Sequence, residues 1–216
     1  QHLMDNVVLR GNTGNGVMAW PTASDTYGGR IIGTIGSDIR AGIDYEHNTK
    51  DAEQNMVMNG MNVFMTYLWP GVETEKLGLF FEKDLNNVSY GLRYDQVELD
   101  PTRAADDPGS GMMQKTANEV YTADYDGTIV ATKRDFDNIS GFLRINKDYN
   151  HGESYINFSI NERAPDANEL FHAKNNSTAM MRHVGNPNLS SERHMTIEVG
   201  YEGMLMGNHI TGSVYY

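Results

Sequence analysis

The segment Val88-Ser89-Tyr90-Gly91-Leu92-Arg93-Tyr94-Asp95 alternates apolar with polar or small residues at every step. Its even-numbered positions are all apolar or aromatic, whereas its odd-numbered positions carry serine, glycine, arginine and aspartate. Successive side chains of a β-strand point to opposite faces, so this period of two predicts a strand with one apolar and one charged face.

The same alternation recurs along the chain. It is present in Ile39–Glu46, Leu77–Glu82, Ile156–Arg163, Met195–Glu202 and the final segment with Ile210 and Val214. Counting these and the intervening segments predicts about nine strands of roughly ten residues, a length that crosses a bilayer at a tilt. A half-buried sheet of a soluble sandwich shows the same segregation and is the alternative.

The connections between the predicted strands alternate in length. Short turns are predicted at Gly36-Ser37-Asp38, Asn86-Asn87, Asn150-His151-Gly152 and Gly207-Asn208, and long loops at 49–74, 101–138 and 172–193. Short turns on one side of the membrane and long loops on the other are typical of outer-membrane barrels. We therefore predict an all-β fold, an antiparallel transmembrane β-barrel present as a partial barrel of about nine strands with long extracellular loops. Bacterial barrels have an even number of strands, so we expect these nine strands to be part of a larger barrel.

Composition excludes several functions. The net charge is −12, and phosphate recognition needs clustered lysine and arginine, so no nucleic-acid partner is expected. No cysteine is present, which excludes thiolate sites within these residues. The sequence contains no Gly-x-Ser-x-Gly elbow, phosphate-binding loop or His-Glu-x-x-His segment, so we expect no enzyme. The paired acids Asp106-Asp107 and Asp135/Asp137 are interpreted as solvated loop residues or weak calcium sites.

Two segments near the end of the chain carry a family resemblance. Asn161-Glu162-Arg163-Ala164-Pro165-Asp166-Ala167-Asn168-Glu169-Leu170-Phe171 is followed by Gly185-Asn186-Pro187-Asn188-Leu189-Ser190-Ser191-Glu192. This pair resembles the late-barrel signature of TonB-dependent receptors. The residues themselves predict a structural role, because Pro165 and Pro187 stop strands and Gly185-Asn186-Pro187 favours a turn.

The start of the chain narrows the resemblance. His2-Leu3-Met4-Asp5-Asn6-Val7-Val8-Leu9-Arg10 and Asp25-Thr26-Tyr27-Gly28-Gly29-Arg30 are similar to two strands of the TonB-dependent copper receptors. That resemblance implies a copper cargo bound by His2 and Met4 together with ligands from a plug domain. It also implies that the chain lies in the Gram-negative outer membrane, surrounded by its lipid. The TonB complex is then expected as a partner that acts through the plug. Residues 1–216 are then part of the barrel domain, with the plug, the N-terminal strands and, in one interpretation, the last strands lying outside the sequence.

Ligand chemistry agrees with the spacing of His2 and Met4. Residues i and i+2 of a strand face the same way, about 7 Å apart along it. Imidazole and thioether suit copper better than calcium or magnesium. The sequence has 13 methionines. Met56, Met58, Met61 and Met65 fall in the first predicted long loop, with Met112-Met113 and Met180-Met181 in the other two. They are either weak thioether ligands that guide Cu(I) to the mouth or apolar fillers that pack the loops.

Two alternatives remain open. Haem receptors of the same superfamily place a histidine between the Arg-Ala-Pro and Asn-Pro-x-Leu segments, where this chain has His172 and His183, so a haem or siderophore receptor is the first alternative. The second is a passive outer-membrane barrel without specific cargo.

Overall fold

The computed structural model describes residues 2–7, 17–58, 61–111, 114–125, 127–174 and 183–216. Its strands and helices are, in chain order, β1 (His2–Val7), β2 (Val17–Ile35), β3 (Ile39–Met58), β4 (Met61–Leu85), β5 (Val88–Pro101), α1 (Ala117–Asp124), β6 (Arg134–Tyr149), β7 (Gly152–Arg163), α2 (Ala167–Phe171), β8 (Ala173–Lys174), β9 (His183–Val184), β10 (Glu192–Leu205) and β11 (Asn208–Tyr215).

Nine strands form one antiparallel sheet in the order β1-β2-β3-β4-β5-β6-β7-β10-β11. Each strand pairs with its neighbour in the chain, apart from the two-residue hairpin of β8 and β9, which lies between β7 and β10. All four predicted short turns are present, at 36–38, 86–87, 150–151 and 206–207. The predicted antiparallel sheet of about nine strands is confirmed.

One face of the sheet is an exposed apolar belt. The register aligns Ile31, Ile43, Leu79, Tyr94 and Ile139 in one row across five strands. Most of these side chains and their neighbours in adjacent rows are exposed, including Leu92, Leu143, Phe158, Ile197, Val199 and Val214. An exposed apolar surface this extensive is foreign to a soluble monomer and is the expected lipid-facing surface of a membrane barrel.

Tyrosines mark the edge of this belt on the side away from the short turns. The Tyr94 hydroxyl donates to Asp137 Oδ1 at 2.5 Å, and the Tyr45 hydroxyl donates to Glu75 Oε1 at 3.4 Å. In each case the ring lies in the apolar belt, and its hydroxyl bonds a carboxylate in the next row away from the short turns. An amphipathic ring with its hydroxyl toward charged groups is the arrangement of an interfacial aromatic girdle.

The prediction of a long loop at 49–74 is wrong. β3 continues to Met58 and β4 starts at Met61, so the two strands extend well past the tyrosine row as one paired hairpin. Irregularities between Lys50 and Asn55 bend the ladder without ending it, and continued backbone pairing satisfies the amides that a loop would leave to water. Likewise, β6 starts at Arg134, so Asp135 and Asp137 belong to a strand and not to a loop.

A compact core closes the long-loop end of the polar face. Val72, Val97, Leu99 and Phe136 project from the strand ends, and α1 and α2 pack over them with Val120, Tyr121, Leu170 and Phe171 almost fully buried. We call this cluster of buried residues the mouth core; its members are Val72, Val97, Leu99, Ala104, Ala117, Val120, Tyr121, Ala131, Phe136, Ala167, Leu170, Phe171 and Ala173. Neither helix, nor any other in the described ranges, is long and apolar enough to span a membrane.

Candidate functional site

The polar face carries a ladder of ion pairs centred on Arg93. Its guanidinium donates two hydrogen bonds of 2.9 Å to Asp44 and bonds of 2.7 and 2.5 Å to Asp95. Arg30 lies 3.6 Å from Asp44, and Lys76 lies 3.7 Å from Asp95. These five residues join β2, β3, β4 and β5 by charge, so the polar face is a set of paired charges rather than a surface of one sign.

Glycines on the polar face give space to aromatic rings of the neighbouring strand. A Cβ on Gly42 would lie 2.6 Å from the Phe80 ring, and one on Gly91 would lie 2.5 Å from the Phe142 ring. Phe80 and Phe142, with Arg40 and Arg93, line a cavity of about 300 Å³ on this face. The rings occupy the space that a side chain at either glycine position would need, which accounts for glycine at these positions of the strands.

At the mouth, the first late segment folds into a strand end followed by the short helix α2. Asp166 is the N-cap, and its carboxylate accepts hydrogen bonds from the amides of Asn168 and Glu169, while Glu169 accepts from the Asp166 amide. Arg163 donates to both Glu169 oxygens at 2.8 Å and to Glu192 at 3.0 Å. The Arg163 guanidinium, with the Asp166 amide, lowers the pKa of Glu169 to about 2.

The second late segment packs directly on α2. The Gly185 amide donates to the His172 carbonyl and the Asn186 amide to the Glu169 carbonyl, each at 2.7 Å. A Cβ on Gly185 would lie 2.7–2.8 Å from backbone atoms of 168–170, so only glycine permits this approach. Arg134 donates to the carbonyls of Pro187 and Leu189. The structural role predicted for both segments is thus visible in their contacts.

His172 and His183 lie side by side at the mouth, with ring centroids 6.4 Å apart. His172 follows the last turn of α2, and its Nδ1 lies 2.8 Å from the His183 carbonyl. A carbonyl only accepts, so Nδ1 carries the proton and Nε2 keeps its lone pair. Burial lowers the pKa of His172 below its ordinary value, which favours the neutral ring. Both histidines line an open cleft of about 710 Å³ with Asn168, Glu169, Val184 and Gly185.

His2 and Met4 belong to β1, where the register pairs His2 with Ser24 and Met4 with Thr22. The side chains of both residues lie outside the described part of the chain. Ser24 and Thr22 belong to the same alternate row of β2 as Thr26 and Arg30, the row of the polar face. Because they pair with Ser24 and Thr22, His2 and Met4 occupy register positions of that same polar-face row.

The four methionines predicted in the first long loop, Met56, Met58, Met61 and Met65, belong to the strands of the β3–β4 hairpin instead. Met65 is only 3% exposed and Met56 is half-buried, whereas Met61 is 65% exposed. The side chain of Met58, and all of Met112-Met113 and Met180-Met181, lie outside the described residues. Burial of Met65 agrees with the packing interpretation for that residue.

The sequence interpretation missed both helices and the mouth core. The signals were present: Thr116 and Glu119 form a complete capping box on α1, as Asp166 and Glu169 do on α2. Tyr121 was missed as well; its hydroxyl is buried and donates to the Phe171 carbonyl at 2.8 Å. Burial raises the pKa of Tyr121 well above its ordinary range. Across the described ranges, no group of three or more histidine, aspartate or glutamate residues is arranged to hold a metal ion.

A family model described as TonB dependent receptor-like, β-barrel matches residues 4–216, nearly the whole chain. The chain belongs to the TonB-dependent receptor β-barrel family. In this family the apolar belt faces lipid and the polar face, with the Arg93 ladder, faces the lumen of the barrel. Membership in a family of receptors agrees with the prediction of a chain that is not an enzyme. No match was found among curated proteins.

One solved structure contains a similar barrel wall. The chain is similar to "Copper transporter OprC", with a TM-score of 0.66 and 21% identity over 99% of this chain and 33% of that one. It also matches "A double mutant of serratia marcescens hemophore receptor HasR in complex with its hemophore HasA and heme", with a TM-score of 0.46 and 17% identity over 93% and 32%. The second similarity is too weak to support an argument. The chain spans about a third of the length of each of those proteins, and the first similarity establishes the fold alone.

Proposed function

We propose that this chain is the barrel part of an outer-membrane TonB-dependent receptor that transports copper in a Gram-negative cell. The observation that carries the proposal is the His2-x-Met4 pair at register positions of the lumen-facing row, opposite Ser24 and Thr22. An imidazole nitrogen and a thioether sulfur two residues apart on a wet face form a donor pair that prefers copper. The copper transporter OprC has the same fold, which supports the proposal without deciding the cargo.

Two donors hold an ion weakly, so the pair needs further ligands. We propose that they come from a plug domain outside this sequence, and that the TonB complex acts on that plug to release the ion. The chain itself supplies a rigid wall. The Arg93 ladder fixes the lumen face of β2–β5 by charge, and the mouth core covers its outer end. Outer-membrane lipid surrounds the apolar belt, and the energy for release reaches the receptor through TonB.

Copper content of the intact receptor tests this function. A His2→Ala/Met4→Ala variant should lose the copper bound in the lumen, and so contain clearly less copper than wild type, when both are purified from copper-supplemented cells and compared by elemental analysis. A His194→Ala/Met206→Ala variant removes the same residue types from exposed positions and should retain copper. Equal copper in wild type and the His2→Ala/Met4→Ala variant would exclude these ligands.

A haem receptor is the second candidate, because His172 and His183 lie together at the mouth with an open cleft between their segments. Haem added to the purified wild-type receptor would give a Soret band that a His172→Ala variant lacks. Copper retention by wild type without such a band favours the copper function.

A further inference from the structure

We propose that His172 and His183 form a separate capture site for Cu(I) at the outer mouth of the receptor. The inference rests on the proposed copper function for the identity of the ion, whereas the residues and geometry are independent of His2 and Met4. The two sites lie at different places in the fold, one on β1 and one beside α2.

The geometry of His172 is that of a preformed ligand. Its Nδ1 donates to the His183 carbonyl at 2.8 Å, which fixes both the tautomer and the orientation of the ring. Metal-binding histidines usually donate their second nitrogen in this way, leaving the other lone pair for the ion. Nε2 of His172 has no hydrogen-bond partner within the described ranges, and the ring lines the open cleft.

His183 is within reach of the same ion. Metal–nitrogen bonds of about 2.0–2.1 Å place the centroids of two ligating imidazoles roughly 5 to 6.5 Å apart. The observed separation of His172 and His183 is 6.4 Å, at the open end of that range. His183 is exposed, so a small change of its rotamer completes the approach without disturbing the buried side.

The side chains that line the cleft suit copper better than a hard divalent cation. Glu169 is the carboxylate that lines the cleft, but both of its oxygens already accept from Arg163, and one also accepts from the Asp166 amide. Hard divalent cations need several oxygen ligands, and among the described residues that line this cleft no carboxylate is free. Imidazole suits copper rather than calcium or magnesium, and two such ligands without a free carboxylate suit an ion of low charge; the proposed copper function then identifies the ion as Cu(I). The Trp69 ring, 5.7 Å from His172, shields one side of that ligand.

Equilibrium dialysis of the intact receptor against Cu(I), kept reduced with ascorbate, tests the site. Each of His172→Ala and His183→Ala should weaken the outer class of sites at least tenfold, while the exposed-histidine control His209→Ala leaves the isotherm unchanged. Heat-modifiable migration in gels reports that each variant barrel is folded. A more conservative variant, His172→Gln, keeps a donor for the His183 carbonyl but lacks the imidazole. It should also weaken Cu(I) binding at this site.

The outcomes separate this inference from the proposed function. A loss in His172→Ala and His183→Ala, with His2→Ala/Met4→Ala retaining outer-site binding, supports the capture site even if the lumen pair fails. Unchanged Cu(I) isotherms in both mouth variants overturn it, whatever the result for His2 and Met4. Loss of a haem Soret band in the mouth variants, with Cu(I) binding intact, also overturns it and assigns the histidines to haem.

Discussion

Arg163 and Glu169 form a two-pronged ion pair, with Nη1–Oε2 and Nη2–Oε1 distances both 2.8 Å. The pair joins the last residue of β7 to the first turn of α2, six residues later in the chain. It therefore fixes the direction in which the chain leaves the membrane wall and enters the mouth core. The segment that carries the family resemblance is held in place by this contact and by the docking of Gly185.

Replacing Glu169 with glutamine should loosen α2. The variant removes the charge that Arg163 binds, and bidentate pairs with partly exposed side chains contribute about 1 kcal/mol or less. Hydrogen–deuterium exchange of the intact receptor should show faster exchange of the α2 amides. Glu119→Gln is the matched control, because Glu119 has the same capping position on α1 but forms no ion pair with an arginine of the described ranges. Equal effects of the two variants would show that Arg163 adds nothing beyond capping.

The same carboxylate makes α2 sensitive to acid. The pKa of Glu169 is lowered in the folded protein from 4.5 to about 2. A group with a lowered folded pKa contributes stability that is full above its unfolded pKa and is lost as the pH falls toward the folded one. The difference in opening free energy between wild type and Glu169→Gln should thus be largest above pH 4.5 and shrink between pH 4.5 and 2. A difference that grows on acidification would contradict the lowered pKa of Glu169.

Tyr121→Phe should destabilise the mouth core. The variant removes the buried hydroxyl that donates to the Phe171 carbonyl and leaves that acceptor without its partner, at a cost of about 1–3 kcal/mol. Proteolysis of the intact receptor should cleave the α1 region faster. Tyr125→Phe is the control, since Tyr125 is half-buried and its bond to the Val184 carbonyl is 3.4 Å long. If both variants resist protease like wild type, the Tyr121 bond is not a stabilising contact.

Gly185→Ala should displace the turn that packs on α2. The new methyl group would lie within 2.8 Å of the backbone of 168–170, and overpacking of this kind costs about 1–3 kcal/mol. Exchange protection of the 185–189 and α2 amides should fall together. Gly29→Ala is the matched control, because a Cβ there meets no atom within 4 Å. Unchanged protection in Gly185→Ala would disprove the close approach.

Two neighbouring positions of β7 should differ in how well they tolerate an introduced arginine. Phe158 is exposed on the apolar belt, whereas Ser159 lines the lumen cavity with Phe142. Arginine on the lipid face costs about 2–4 kcal/mol near the middle of the bilayer, and a lumen position tolerates it. Folding of the intact receptor into lipid vesicles should therefore be impaired by Phe158→Arg and hardly changed by Ser159→Arg. Similar yields for the two variants would mean that the faces are assigned wrongly.

The sequence by itself determined which side chains share a face. Alternation in Val88–Asp95 and its repeats identifies the apolar belt, and the short turns with asparagine and glycine give the connectivity, because both signals are local to a strand or a turn. It did not determine where β3 and β4 end. Strand pairing continues into the segment 49–74, where polar, methionine and aromatic residues are mixed without a regular alternation, so the loop prediction there is wrong.

Only the tertiary structure decided which residues meet across the sheet and at the mouth. Arg93 pairs with Asp44, 49 residues away, and the Tyr121 hydroxyl reaches the Phe171 carbonyl, 50 residues away. The adjacency of His172 and His183 likewise depends on the β8–β9 pairing and on the docking of Gly185 against α2. Such contacts depend on strand register and loop packing, which are set by many weak interactions between distant parts of the chain. A local sequence pattern therefore does not predict them.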